Sequence, residues 1–246
     1  MNTLDSILIQ NLRKKQVFSR ADIFDVLKKE QGQISEALAN YKLQRFLKEG
    51  SIIRVGRNQY HITDGEITEY SHIYSKISLD VAGMITNNHP LLDFRVFELA
   101  QLNEFVNHLI AHNVLFISTE GDYGSFVFQS LKELYPGKVL LYPDQTVYHN
   151  YVSDDSIVIT RLVSESPRGL KENWNTRPEK FLVDLISDKW LAEAVNHGEY
   201  KRIFEECFQK YAIDETTMFR YARRRSAEKR LIEYIQNETT IKLRTV

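Results

Sequence analysis

The chain is poor in backbone punctuation. Glycine and proline together supply 15 of its 246 residues, roughly half the usual share. So few turn formers argue for substantial helix and against an all-β sandwich. Cysteine is nearly absent, and Cys207 stands alone. One thiol excludes an intrachain disulfide and a cysteine-based zinc site, and it fits a reducing, cytoplasmic setting. No run approaches the ~18 apolar residues of a membrane span, so neither a transmembrane helix nor a membrane partner is expected. Asp5 interrupts the first apolar turn and no A-x-A-like site is present, so no signal peptide is visible. The apolar share, 43%, and the charged share, 26%, are those of an ordinary folded protein.

An excess of one charge is also missing overall, with a net of −1. That balance hides an uneven distribution. Residues 1–62 carry net +5, residues 63–160 net −9 and residues 161–246 net +3. A basic N-terminal module beside an acidic middle points to nucleic acid at one end.

The first 62 residues read as three helices and a hairpin. Leu4, Ile7, Leu8 and Leu12 recur at helical spacing. Ser19, with Asp22 three residues on, marks the start of a second helix through Ile23, Phe24, Val26 and Leu27. A third runs from about Ser35 to Lys48, with Gly50 as the residue that ends it. Two short strands around a Gly56-Arg57-Asn58 turn follow. This is the order of a winged helix-turn-helix. We therefore expect a DNA-binding domain over residues 1–64 and an α/β domain with helical C-terminal part over 65–246, a mixed α/β (α+β) chain.

From residue 77 the elements alternate. Helices are expected from Ser78 to Asn87, from Asn103 to Asn113 and from Gly124 to Tyr135. Strands are expected over Asp93–Leu99, Val114–Thr119, Lys138–Tyr142 and Ser156–Leu162, in a largely parallel sheet. Residues 176–236 return to helix, with a single long final helix capped by Asp214 and a frayed last ten residues.

On the third helix Ala39, Leu43, Phe46 and Leu47 form one face, expected to be core. Ala37, Asn40, Tyr41, Gln44 and Lys48 form the opposite one. Asn and Gln pair bidentately with adenine, and Lys reaches guanine or phosphate. The wing supplies Arg54, Arg57, Asn58 and Gln59, suited to phosphates or a minor groove. Double-stranded DNA is thus the expected partner, read by Asn40, Tyr41, Gln44, Lys48, Arg54, Arg57 and Asn58.

Catalytic patterns fail on inspection. Asp93, Glu98, Glu120 and Asp122 sit at strand ends, but Glu120 lacks the following x-Lys of a metal-dependent nuclease. Gly124-Ser125 is not followed by paired aspartates for a nucleotidyltransferase, and P-loop, G-x-G-x-x-G and G-x-S-x-G motifs are absent. Glu104, His108 and His112 would share one helix face, yet the H-E-x-x-H order and a further ligand are missing. Neither catalytic residue, metal nor cofactor is expected.

A set of phrases nevertheless has a family look: "FLKEGSIIRVGRNQY", "FELAQLNEFVNHLIAHNVLFISTE", "VLLYP", "TRPEKFLVDLISDK" and "KYAIDETTMFRYARRRS". Their order resembles the AbiEi-type antitoxins of bacterial type IV toxin–antitoxin systems, linked to abortive phage infection. The resemblance implies a winged helix that binds inverted repeats of its own operator and represses its operon. It also implies a C-terminal domain that neutralises a nucleotidyltransferase toxin encoded alongside. Residues for that task would lie around Lys180, Asp184, Arg220, Arg223 and Arg224. Two rival functions remain open: a stand-alone transcriptional regulator whose acidic α/β domain senses a ligand, and a restriction-like nuclease.

Overall fold

The structure, a computed structural model, describes residues 3–15, 17–49, 51–56, 58–62, 69–108, 110 and 112–245. The first part holds α1 (Thr3–Leu12), α2 (Arg20–Gln31) and α3 (Glu36–Lys48), then an antiparallel hairpin of β1 (Ile52–Gly56) and β2 (Gln59–Ile62). Helix α2 starts in a capping box: Ser19 Oγ accepts from the Asp22 amide, and Asp22 accepts from the Ser19 amide. Ser35 caps α3 through one bond, its Oγ accepting from the Leu38 amide. Phe18 forms a bridge to Tyr60, so the segment before α2 adds to the hairpin. Leu8, Leu12, Phe18, Ile23, Leu27, Leu43, Phe46, Ile52 and Tyr60 make a core separate from the rest of the chain. Gly50 and the boundary at residue 64 lie outside the described residues.

The larger part is a mixed α/β unit. Its elements begin with α4 (Lys76–Asn88), β3 (Phe94–Glu98), β4 (Val114–Thr119), α5 (Gly124–Leu134), β5 (Val139–Leu141), α6 (Gln145–Tyr151) and β6 (Ser156–Arg161). The sheet order is β3-β4-β6-β5, with β4, β6 and β5 parallel and β3 antiparallel to β4. Side chains of β4 alternate between two cores. Leu115 and Ile117 face α4 and α5, while Val114 and Phe116 face the helical C-terminal part. A strand covered on both faces has to be apolar throughout, which explains the unbroken Val-Leu-Phe-Ile run. The helical part comprises α7 (Pro178–Ser187), α8 (Lys189–Ala194), α9 (Tyr200–Lys210), α10 (Glu215–Arg224) and α11 (Glu228–Glu238). No helix among the described residues is long and apolar enough to cross a membrane.

The sheet is largely parallel, as expected, with β3 alone running against its neighbour β4. Several other expectations are corrected. Helix α4 begins at Lys76 under a Ser75 cap, not at Ser78. The described residues between 103 and 113 form no α-helix. A 3-10 turn over Leu99–Glu104 passes into irregular chain. Asparagine side chains divert the backbone there: Asn103 Oδ1 accepts from the Ile110 amide at 2.7 Å and Asn113 Oδ1 from the Ala100 amide at 3.0 Å. Glu104, His108 and His112 therefore share no helix face. Helix α6 was not expected at all; Asp144 caps it through the Val147 amide at 2.8 Å.

The final helix is two helices. Ser226 takes a left-handed φ of 52°, and the Ala227 amide returns to the Ala222 carbonyl at 2.9 Å. Nor is the tail frayed. The buried Glu215 carboxylate accepts from the Arg244 amide at 2.8 Å and from the Thr245 amide at 3.0 Å. The segment before α4 is tied down as well, since Tyr70 packs edge-on to Phe181 and Tyr211.

Candidate nucleic-acid interface

Helix α3 separates its residues as the periodicity predicts. Ala39, Leu43 and Phe46 are buried and Leu47, expected with them, is half-buried at the groove, while Tyr41 is 63% exposed and Gln44 is exposed beside a half-buried Asn40. Asn40 and Gln44 line a groove of about 710 Å³ bounded by α2, α3 and the hairpin. Arg20, Asp25 and Glu36 also line it, so its charge is mixed. Asn58 lines it too, at a left-handed φ of 55° that asparagine tolerates. Its Oδ1 accepts from the Arg20 amide at 3.1 Å, tying the hairpin turn to the start of α2. Arg57, and the side chains of Lys48 and Arg54, lie outside what is described.

Two basic residues of α3 have a different task. Lys42 Nζ and Arg45 Nη2 each reach the buried Asp5 of α1 at 2.5 Å. Burial pushes the Asp5 carboxyl up, but its bonds to Lys42 and Arg45 outweigh this and hold it below the ordinary range. This clamp fixes α3 against α1 and leaves the groove side of α3 free. The sequence pattern alone does not reveal it, because Asp5 is more than thirty residues from its partners.

The other candidate residues divide into buried and exposed sets. Lys180 and Asp184 are both buried and pair with each other at 2.6 Å along α7. Asp184 also accepts from the Tyr221 hydroxyl at 2.9 Å and lies 3.5 Å from Arg225 Nε. Arg225 continues to Ser187 at 2.9 Å and Asp188 at 3.0 Å. These groups bolt α7 to α10 and face inward. Arg220, Arg223 and Arg224 are exposed on α10. Arg220 pairs with Glu165 at 3.0 Å and Arg223 with Glu228 at 2.8 Å.

Of the acids at the strand ends, Asp93 and Glu120 meet at one edge of the sheet, while Glu98 lies at the other end of β3. Glu120 accepts from the Asp93 amide, and Asp93 holds Arg95 and Arg168. Among the described residues no cluster of three or more His, Cys, Asp or Glu could hold a metal ion. Glu98 is buried and accepts from the Ser75 amide at 2.9 Å, with His72 Nε2 at 3.0 Å. Burial raises its carboxyl, but the His72 and Ser75 bonds outweigh that and set it below 4.5. A depressed carboxyl contributes stability above its unfolded value, and that stability is lost as pH falls through the folded value. Glu98→Gln is therefore expected to flatten the pH dependence of unfolding below about 4.5. Urea midpoints for both proteins across that range check it, and parallel curves would refute it.

The fold and these surfaces define a mixed α/β protein with a small helical N-terminal unit. Residues 38–241 match the model of DUF6577, a family of unknown function, and the chain belongs to that family. No curated protein matches it. Among solved structures, it is similar to the crystal structure of the RV2827C protein from Mycobacterium tuberculosis. That alignment covers 99% of this chain and 84% of the other at 10% identity, with a TM-score of 0.24.

Proposed function

We propose that the chain is a DNA-binding autorepressor, with a winged helix-turn-helix in its first 62 residues and antitoxin activity in its C-terminal domain. One observation carries the DNA half. The outer face of α3 presents Asn40, Tyr41 and Gln44 beside a groove closed by the hairpin, while the inner face is locked into core and onto Asp5. The order α1, Phe18 bridge, α2, α3, hairpin supports the winged-helix reading. In that reading α3 enters the major groove, with its amides reading base edges and Lys48, Arg54 and Arg57 anchoring phosphates. The antitoxin half rests on the resemblance of the sequence phrases to AbiEi-type antitoxins. Its contact surface is sought on the exposed Arg220, Arg223 and Arg224, since Lys180 and Asp184 are turned inward.

The test is a titration of labelled DNA from upstream of its own gene, against a shuffled duplex, at several salt concentrations. Gln44→Ala is expected to relax sequence preference, at a cost of about 1–3 kcal/mol on the best site. Arg57→Ala is expected to weaken all duplexes alike and to lower the salt slope by about 1. An unchanged preference in Gln44→Ala removes that residue from base reading. Equal binding of upstream and shuffled duplexes by the wild type overturns the repressor. Coexpression with a neighbouring nucleotidyltransferase reading frame tests the antitoxin half, which fails if toxicity persists.

A further inference from the structure

A second concave site lies far along the chain from the groove. Asp93 precedes β3, Glu120 follows β4, and residues 162–164 follow β6, so all three meet at the edge where the parallel strands β4 and β6 end. Open α/β sheets bind their ligands outside that edge. Here it opens into a cavity of about 540 Å³, a volume suited to a small molecule rather than a bare ion. The opposite wall is Arg177, at the start of α7, and Arg220 of α10.

The floor is pre-formed. Arg95 is 1% exposed and spends its guanidinium on the chain itself. Its Nε donates to the Pro167 carbonyl at 2.9 Å, Nη1 to the Phe94 carbonyl at 2.7 Å and Nη2 to the Ser166 carbonyl at 3.2 Å. Asp93 neutralises it at 2.6 Å. The loop so pinned holds Glu165 at a left-handed φ of 64°, a conformation that costs free energy and persists only when its surroundings enforce it. Ser166 lines the cavity, and its buried hydroxyl has no hydrogen-bond partner. A buried hydroxyl without a partner is costly, and a ligand acceptor would satisfy it.

Three further guanidiniums reach the cavity. Arg168, Arg177 and Arg220 are each steered by one carboxylate: Asp93 at 3.2 Å, Glu179 at 2.7 Å and Glu165 at 3.0 Å. Each acid engages only part of a five-donor fork. Forks with spare N–H groups match phosphate oxygens bidentately. We infer that this cavity is a binding site for a small phosphorylated molecule, held by Arg168, Arg177 and Arg220 over the loop that Arg95 fixes.

Pyrophosphate is the probe, titrated into the full-length protein by calorimetry at low ionic strength. One saturable site is expected. The double variant Arg168→Gln, Arg220→Gln should weaken it about tenfold or more, the loss of two charge-assisted contacts. Both residues are more than half exposed, at 63% and 53%, so the variant keeps its fold, which circular dichroism verifies. Arg230→Gln removes an exposed cation away from the cavity and should leave affinity unchanged. No saturable heat from the wild type overturns the site. An equal loss in Arg230→Gln overturns it as well, because the attraction would then be diffuse charge.

Discussion

Replacing Asp184 by alanine is expected to destabilise the protein by about 3–5 kcal/mol. Its carboxylate is the only acid bonded to the buried Lys180 ammonium among the described residues, and it also takes the Tyr221 hydroxyl. Alanine leaves a buried ammonium and a buried phenol without an acceptor, with Arg225 reduced to Asp188 and Ser187. The cost comes from those orphaned groups, since the intact network itself stabilises little beyond an apolar isostere. Asp184→Asn keeps an acceptor for Tyr221 and should recover part of the loss. Melting would show it, with a fall of about 10 °C for alanine at this chain length. A fall within about 2 °C would mean that water reaches the network and the burial argument is wrong.

Arg95→Met is expected to cost a similar amount, about 3–5 kcal/mol. The carbonyls of Phe94, Ser166 and Pro167 lose their donors together, and Asp93 keeps only Arg168. Methionine fills much of the volume, so the loss reports hydrogen bonds more than a void. Arg95→Lys should not rescue it, because one ammonium cannot span acceptors that a planar fork reaches. Hydrogen exchange separates this outcome from general weakening. Amides of the 164–168 loop should lose protection first, while those of α1 to α3, on a separate core, should not change. Uniform loss of protection would contradict a local role. Pyrophosphate binding should fall with the loop, which ties this variant to the proposed cavity.

Local signals carried much of the architecture. Helical periodicity placed α1, α2 and α3, with Ser19 marking the start of α2. The apolar runs of β4 and β6 were visible because both of their faces are covered. The outer face of α3 was legible for the same geometric reason, since a 3.6-residue repeat fixes which residues oppose the core. Failures came where side chains compete with the backbone. Leu102, Phe105 and Val106 have a helix-like spacing, yet Asn103 and Asn113 bond main-chain groups and prevent the helix. The break at Ser226 was hidden because serine, unlike glycine, does not advertise a left-handed residue.

By itself, then, the amino-acid sequence determined the identity of most helices and strands, the uneven charge, and the polar face of α3. These depend on residues within a few turns of one another. Only the tertiary structure decided the roles of the charged residues. Lys42 and Arg45 are taken by Asp5, Lys180 by Asp184, and Arg95 by a loop some seventy residues away. It alone gathered Arg168, Arg177 and Arg220 around one cavity. The reason is that a charge is functional or structural according to what lies within a few ångströms of it, and chain folding sets those neighbours without regard to spacing along the sequence.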